Sequence, residues 1–554
     1  MYFVIIMAFA LVLSDSLPPQ ALNLFAGRSS WSGPAYQATI AIAFGQLLLI
    51  AGYAWWMRRR TLSRIDGTPE GHDAAADTYG RFQHGLLFVL SALLVLTLVC
   101  TPWTAIGRTI WGLGRFPLIA DLVILAPLFL SLLIVWVVNY AVELRLRTEA
   151  LAAAHVEHGD PPEGPLAAVD AAEALAIDNA AVEALKASKK RSSIERLGLR
   201  EYLIDKFRHQ VLILAAPMCI IVAAKFFLNK YGPQLLPLPK DRLIQDIILN
   251  AGLGVVSVIV LVLAPWMLRH IWATEPLPAG ALRDRFTATC DRIGLRYREI
   301  LLWHTHGATV NAAVMGFVAP LRYVLVSDAL LETMDEEEIE AVFGHEAGHV
   351  RHWHLPFFGA FALVSMYVAG GVMHLLLFID RQMGAGYSID NSLLQMSALA
   401  TLLLMWLFGF AWLSRKFERQ ADLFGVRCIT PDVPECLAAC PVHGTPRKAG
   451  LCVTAAGIFE RTLTRIAELN GIPKESPSWR HGSIESRCQL IERFVKDIAS
   501  LRRFDRKILA IKMGLLAALV VGSVVAVWIY YEPVKNALRD RPLRAVRPAS
   551  LRAQ

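Results

Sequence analysis

DEEEIEAVFGHEAGHVRHWHLPFFGAFALVSMYVAGGVMHLLLFID, residues 335–380, changes character once, near Leu355. The part before Leu355 is charged. The part after it, Phe357–Ile379, is apolar and long enough to cross a hydrocarbon core of about 30 Å as a helix. The charged part reads as a helix over Asp335–His354, with Thr333 and Glu336 at capping-box spacing and Asp335–Glu338 loading its N-terminus. Residues i and i+4 share a helix face, so His345 and His349 point the same way. Two imidazoles so placed can grip one zinc ion, with Glu346 beside the metal-bound water. The same five residues also fit two surface histidines on an amphipathic helix.

Working outward, eight apolar runs approach or exceed the length a bilayer requires: Ala38–Met57, Gly85–Trp103, Phe116–Val142, Val211–Leu228, Ile247–Leu268, Phe357–Ile379, Leu393–Leu413 and Met513–Tyr531. Val211–Leu228 is the weakest, with Pro217 and Lys225 inside it. Over the 554 residues, hydrophobic types make up 55% and charged types 18%, and the mean hydropathy is +0.44. Such a chain is an integral membrane protein rather than a soluble one. Its net charge of +8 reports topology, not nucleic-acid binding, since no basic stripe with interleaved aromatics accompanies it. Tyr2–Leu13 is apolar but short and lacks a basic lead-in; a first helix and a cleaved leader both fit.

Loop charge sets an orientation. Arg58, Arg59 and Arg60, the Lys189–Arg200 region, and the long segments after Leu268 and Leu413 are basic, whereas the alternate loops are short. Positive charge stays inside, so the long segments are expected in the cytoplasm of a multi-pass inner-membrane protein. The tail with Arg539, Arg541, Arg544 and Arg547 disagrees, because the same count puts it outside. The division that follows is a membrane region over 1–268 with a cytoplasmic linker at 144–207, a first half-domain at 269–355, and a membrane hairpin at 356–413. A second half-domain follows at 414–506, then a last span and tail at 507–554. Ala150–Ala187 within the linker reads as a solvated insertion.

A catalytic zinc needs a third protein ligand and an open position. Directly after the span ending at Leu413 comes Ser414-Arg415-Lys416-Phe417-Glu418-Arg419-Gln420-Ala421-Asp422. Glu418 can be that ligand, and Asp422, i+4 from it, can orient a ligand by hydrogen bonding. An ordinary charged helix face is the plain alternative.

With these residues the sequence resembles the M48 family of membrane metallopeptidases, which includes CAAX prenyl proteases and HtpX-type enzymes. His345–His349 with His354 five residues on is closer to the former. Ser414-Arg415, Glu418 and Ala421-Asp422 resemble the family's second ligand motif. Asn311-Ala312 through Leu325–Leu331 resemble its hairpin and lead-in. Trp479–Arg487 resembles its His-Pro…Arg motif, with Gly482 in place of the proline. The resemblance spans roughly 268–494 and leaves the N-terminal region uncovered. It implies a mainly α-helical multi-span membrane protein with a split, zincin-like α+β catalytic domain that carries a small β-hairpin or edge strand. It further implies one zinc ion per chain held by His345, His349 and Glu418, with Glu346 as base. His481 and Arg487 would support the oxyanion, and Asn311 and Ala312 would lie on an edge strand that pairs with an extended polypeptide substrate. Membrane-associated or misfolded proteins, or lipid-modified C-termini, are the substrates such a site would meet.

Other features carry less. His304 and His306 face one way on a strand without a partner in the local sequence. Cys436 and Cys440, with His443, Cys428 and Cys452, could form a small structural zinc site, although the spacing is not Cys-x2-Cys. The cysteines of the polar segments are expected reduced. His354 reads as structural rather than as a ligand, and Asp121, Lys225 and Lys512 as cavity-lining or snorkelling groups. Two rival functions are a site-2-type intramembrane protease and a non-catalytic zinc scaffold. The charged motif helix argues against the first, and a ligand set of three plus a base argues against the second.

Overall fold

In lipid, backbone N–H and C=O groups must be satisfied within the segment, which favours helices. The structure, a computed structural model, describes residues 34–66, 68–99, 101–157, 198–236, 242–305, 310–383, 391–429, 450–469 and 473–539. Seven described helices are long and apolar enough to cross a membrane. They fall within α1 (Pro34–Leu62), α2 (Pro69–Val99), α3 (Ala126–Glu157), α5 (Arg242–Ile271), α9 (His354–Gln382), the continuous stretch of α10 (Asn391–Leu404) and α11 (Ala411–Cys428), and α14 (Ile498–Arg539). The weak run Val211–Leu228 is a bent pair, kinked by 45°. A π turn at Phe207–Leu212 precedes α4 (Ile213–Leu235), and Pro217 lies inside α4. Such breaks in the hydrogen-bond ladder bend helices. The expected single span Phe116–Val142 is also divided, into Pro117–Ile124 and α3, whose first turn holds Pro127, where its missing N–H costs little. Tyr2–Leu13, most of the Ala150–Ala187 linker, Cys100, His306, Cys436, Cys440, His443, Arg541, Arg544 and Arg547 lie outside the described residues.

Helices α1, α2 and α3 pack around Ile50, Ala54, Phe82, Leu86, Leu90 and Val135. Glu143 is buried between them, and both Lys206 Nζ (2.6 Å) and the Tyr79 hydroxyl (2.8 Å) meet its carboxylate. A buried charge is tolerable when paired in this way.

Between α5 and the membrane hairpin lies a four-stranded mixed sheet: β1 (Thr274–Pro276), β2 (Glu299–Trp303), β3 (Ala312–Met315) and β4 (Tyr323–Ser327), in the order β1-β2-β4-β3. β2 and β4 run parallel, while β3 and β4 form an antiparallel hairpin that leaves β3 at the edge. β4 is buried throughout, as expected for a strand covered on both faces. It leads into α7 (Asp328–Thr333), capped by Ser327, whose hydroxyl accepts from Leu330 N. α6 (Ala281–Ile293), the sheet and α8 (Glu336–Arg351) enclose a core that includes Phe286, Cys290, Ile300, Val324, Leu330 and Phe343.

α8 begins one step later than its sequence suggests. Asp335 is the N-cap and forms the box with Glu338, not Thr333 with Glu336. Thr333 is spent in the last turn of α7, where its hydroxyl donates to Ala329 O. Nor is Asp335–His354 one helix. Trp353 takes a left-handed conformation (φ 58°), ends α8 and lets α9 restart at His354. For a non-glycine residue this costs about 1–2 kcal/mol.

α10 (Asn391–Leu404), a π turn at Met405–Phe410 and α11 (Ala411–Cys428) form one continuous helix. The boundary expected at Leu413 is therefore not a break in the chain's structure. α12 (Val453–Leu469) and α13 (Ile484–Lys496) pack beside α11 around Phe459, Leu463, Ile491 and Phe494.

Candidate metal centre

Glycine sets how closely α8 and α11 approach. A Cβ on Gly344 would come within 2.8 Å of Cys428 Cβ and 3.1 Å of Gly425 Cα, and one on Gly348 within 3.1 Å of Ala421 Cα. Helix backbones in contact at this range bring the side chains one turn away into the same small volume. Arg292 on α6 reinforces the crossing, pairing with Glu340 of α8 and donating to Cys428 O of α11 (2.7 Å).

His345, His349 and Glu418 meet in that volume. His349 Nε2 lies 3.3 Å from His345 Nε2 and 3.7 Å from Glu418 Oε1, and His345 Nε2 is 3.4 Å from Glu418 Oε2. Ligands about 2.1 Å from a tetrahedral ion are about 3.4 Å apart, so the two imidazole nitrogens and the carboxylate, through one oxygen to each ring, already have the spacing of coordinating groups. Glu418 is 2% exposed, yet its Oε2 accepts no well-directed hydrogen bond. A carboxylate buried that way calls for a cation. Among the described residues this is the group of histidine, cysteine and acidic side chains able to hold a metal ion.

The charges agree. Burial opposes a proton on His345, but Asp422 and Glu418 outweigh it and hold the ring at about 10; the carboxylates draw positive charge into the site. Burial, aided by the nearby His345, pushes His349 down to about 4, so it offers a lone pair at neutral pH. Burial raises the Glu346 carboxyl above its ordinary value, and the proximity of His345, His481 and Arg487 works against that rise. A carboxylate so raised is suited to taking up a proton.

Asp422 lies one turn beyond Glu418, with Oδ1 2.9 Å from His345 Nδ1, off the line of a well-directed hydrogen bond. Arg487 departs from the sequence expectation. It is buried, and its Nε and Nη2 donate to Asp422 Oδ2 (2.9 Å) and Oδ1 (2.5 Å) rather than facing an open cleft. His481 remains at the opening. Its Nδ1 is 2.8 Å from Glu418 Oε2, and its side chain is 45% exposed. Gly482 has φ 79°, a value proline cannot adopt, so the glycine in the proline's place makes a different turn, closed by paired hydrogen bonds between Ser478 and Gly482. Asn311 precedes β3 and is bound to β4: its N–H donates to Ser327 Oγ (3.1 Å), and its carbonyl accepts from Ser327 N (3.0 Å). Ala312 is buried on the edge strand itself.

Sequence reasoning placed Trp479 and Arg415 within motif stretches but gave neither a role. The Trp479 indole donates to Leu407 O (2.9 Å) in the π turn, and Arg415 donates to Trp479 O (2.8 Å). A π turn shifts the hydrogen-bond ladder and presents carbonyls to side chains; here one anchors the loop that carries His481. His304 pairs with Glu275 across the β1–β2 ladder (3.0 Å). Cys428 and Cys452 are buried.

Residues 276–472 match the profile of Peptidase family M48. This segment belongs to that family. A "CAAX prenyl protease 1 homolog" of Arabidopsis thaliana is 26% identical over 39% of this chain and 50% of its own length. "Protease HtpX" of Stenotrophomonas maltophilia (strain R551-3) is 27% identical over 40% of this chain and 78% of its own. The chain thus spans about half the length of the plant relative. The crystal structure of S. mikatae Ste24p aligns over 83% of this chain and 100% of its own, with a TM-score of 0.47 and 13% identity. The M48 segment includes α8, the membrane hairpin and α11, so the two motif helices and the spans between them form one family unit.

Proposed function

We propose that this protein is a zinc-dependent endopeptidase of the inner membrane, cutting membrane-associated or misfolded polypeptides at the cytoplasmic face. The carrying observation is the cluster formed by His345 Nε2, His349 Nε2 and the Glu418 carboxylate, with contacts of 3.3–3.7 Å, and with Glu346 next in sequence to the first. Zinc bound there would lower the pKa of a coordinated water toward ~7 and polarise the scissile carbonyl. Glu346 takes the proton of the attacking water and passes it to the leaving amine. His481, at the opening, donates to the developing oxyanion. Asp422 orients His345, and Arg487 acts one step further back by holding Asp422. The edge strand β3 offers main-chain pairing to an extended substrate, which suits a protease that reads backbone.

The basic long segments support the cytoplasmic placement. The hairpin of α9 and α10–α11 is an even number of crossings, so both halves of the M48 segment share a side. Processing of lipidated C-termini is a second reading, favoured by the likeness to a protein named as a CAAX prenyl protease homologue. Prenylated and unprenylated versions of one peptide would separate the two.

The central test uses purified protein and a quenched peptide. Glu346→Gln should retain one zinc per chain and lose cleavage; residual peptidase activity in a clean preparation would remove Glu346 as the base. Glu418→Ala should lose the metal, and stoichiometric zinc in that variant would remove Glu418 as a ligand.

A further inference from the structure

Lys512 lies in an apolar stretch of α14, where sequence suggests a cavity-lining or snorkelling group. Its ammonium instead turns inward, donating to His352 O (2.7 Å), at the end of α8, and to Gln420 Oε1 (3.0 Å), on α11. An ammonium only donates, so it is the amide oxygen of Gln420 that faces it. The same oxygen is 3.0 Å from His354 Nε2, which must therefore carry the ring's proton. The other nitrogen of a neutral imidazole is an acceptor. That atom, His354 Nδ1, is 2.9 Å from His349 Nδ1. His349 is thus the donor at Nδ1, and its bare lone pair is on Nε2, the atom in the donor cluster.

We propose that Lys512, acting through Gln420 and His354, is a positioning residue that fixes the metal-ligating tautomer of His349. The inference rests on the metal-site reading above and adds to it the means by which the second imidazole is set. Lysine starts the relay because it has no acceptor, which gives the chain of hydrogen bonds one direction. The rings are held as well as the protons. His354 is 1% exposed and stacks on Phe417 with centroids 4.3 Å apart and planes 6° from parallel. Lys512 also lies over the Phe357 and Phe417 rings, at 5.2 and 5.3 Å. The left-handed Trp353 restarts the chain as α9, and His354 comes to rest against the residue five positions earlier. The two imidazoles thus have different supports: a carboxylate, Asp422, for His345 and a relay beginning at a cation for His349.

The test uses full-length protein in detergent. Zinc affinity is measured by competition with a chromophoric chelator, and tautomers by ring ¹⁵N shifts of labelled histidine. Lys512→Met keeps the stem but not the donor, and His354→Phe keeps the stack but not the acceptor; each should weaken zinc binding by about 10–100-fold, the usual effect of losing a ligand's supporting hydrogen bond. Lys512→Arg should restore most of that loss. In the metal-free native protein, His349 should carry its proton on Nδ1 and His354 on Nε2. The opposite tautomers, or unchanged affinity in a folded Lys512→Met, would overturn the relay. Should either variant fail to fold, the native tautomers still decide. Native protein that binds no zinc would instead refute the metal-site reading, so the two failures are distinguishable.

Discussion

Replacing Gly344 with alanine should destabilise the protein, although alanine is the better helix former. In the middle of a helix, Gly→Ala contributes about 1 kcal/mol in favour of folding. At Gly344 the added methyl would stand 2.8 Å from Cys428 Cβ, 3.1 Å from Gly425 Cα and 3.3 Å from Cys428 Sγ. Two of those atoms are backbone or bonded to it, so α8 and α11 must part. Overpacking of this sort costs about 1–3 kcal/mol, which leaves a net loss of about 0–2 kcal/mol. Gly457 on α12 is the internal control, because a Cβ there meets nothing within 4 Å. Gly457→Ala should therefore gain up to about 1 kcal/mol. Thermal unfolding of both variants in one detergent gives the comparison, and zinc affinity shows whether separating the helices loosens the donor cluster. The reasoning is refuted if both substitutions stabilise alike, since the helices would then not be in limiting contact at Gly344.

Arg487→Met should cost about 3–5 kcal/mol, because it leaves the buried Asp422 carboxylate without its fork; chemical denaturation that moves by less than 1 kcal/mol would show the pair to be dispensable. A pH effect should trace to His352, which burial, then Lys512 and Arg427, push down to about 4. The folded protein disfavours the proton that the unfolded chain accepts below about 6.5, so this contribution to stability is present above pH 6.5 and lost as pH falls toward 4. His352→Gln should flatten the melting temperature across that window, and an unchanged slope would exclude His352 as its source. Burial also pushes the Cys290 thiol up to about 12, so maleimide at pH 8 should label it only after denaturation; rapid labelling of native protein would place it at an accessible surface.

The apolar runs were legible because lipid imposes a length, and each reappears in helices, although Val211–Leu228 is a bent pair and Phe116–Val142 is divided at Leu125. The pairing of His345 and His349 follows from helical periodicity alone. The approach of Glu418 does not. It depends on Gly344, Gly348 and Gly425, whose importance shows only once it is known which helices cross. Thr333 was the cap its spacing suggested, but the chain before it forms α7 and engages Thr333, which leaves the cap of α8 to Asp335. The break at Trp353 carries no sequence signal, since a tryptophan rarely adopts positive φ. The fork of Arg487 onto Asp422 joins residues far apart in sequence, so local pattern could only place Arg487 somewhere near the site. The parallel pairing of β2 with β4 escaped for the same reason: β2 borders a partner that it reaches only after the intervening strand has turned back.

Because α10 runs through its π turn into α11 without interruption, Glu418 is carried on the end of a rod whose other end is solvated by acyl chains. Lys512 is likewise supplied by a helix continuing into lipid. A fragment without α9, α10 and the apolar part of α14 would lack the helices that carry Glu418 and Lys512 into place.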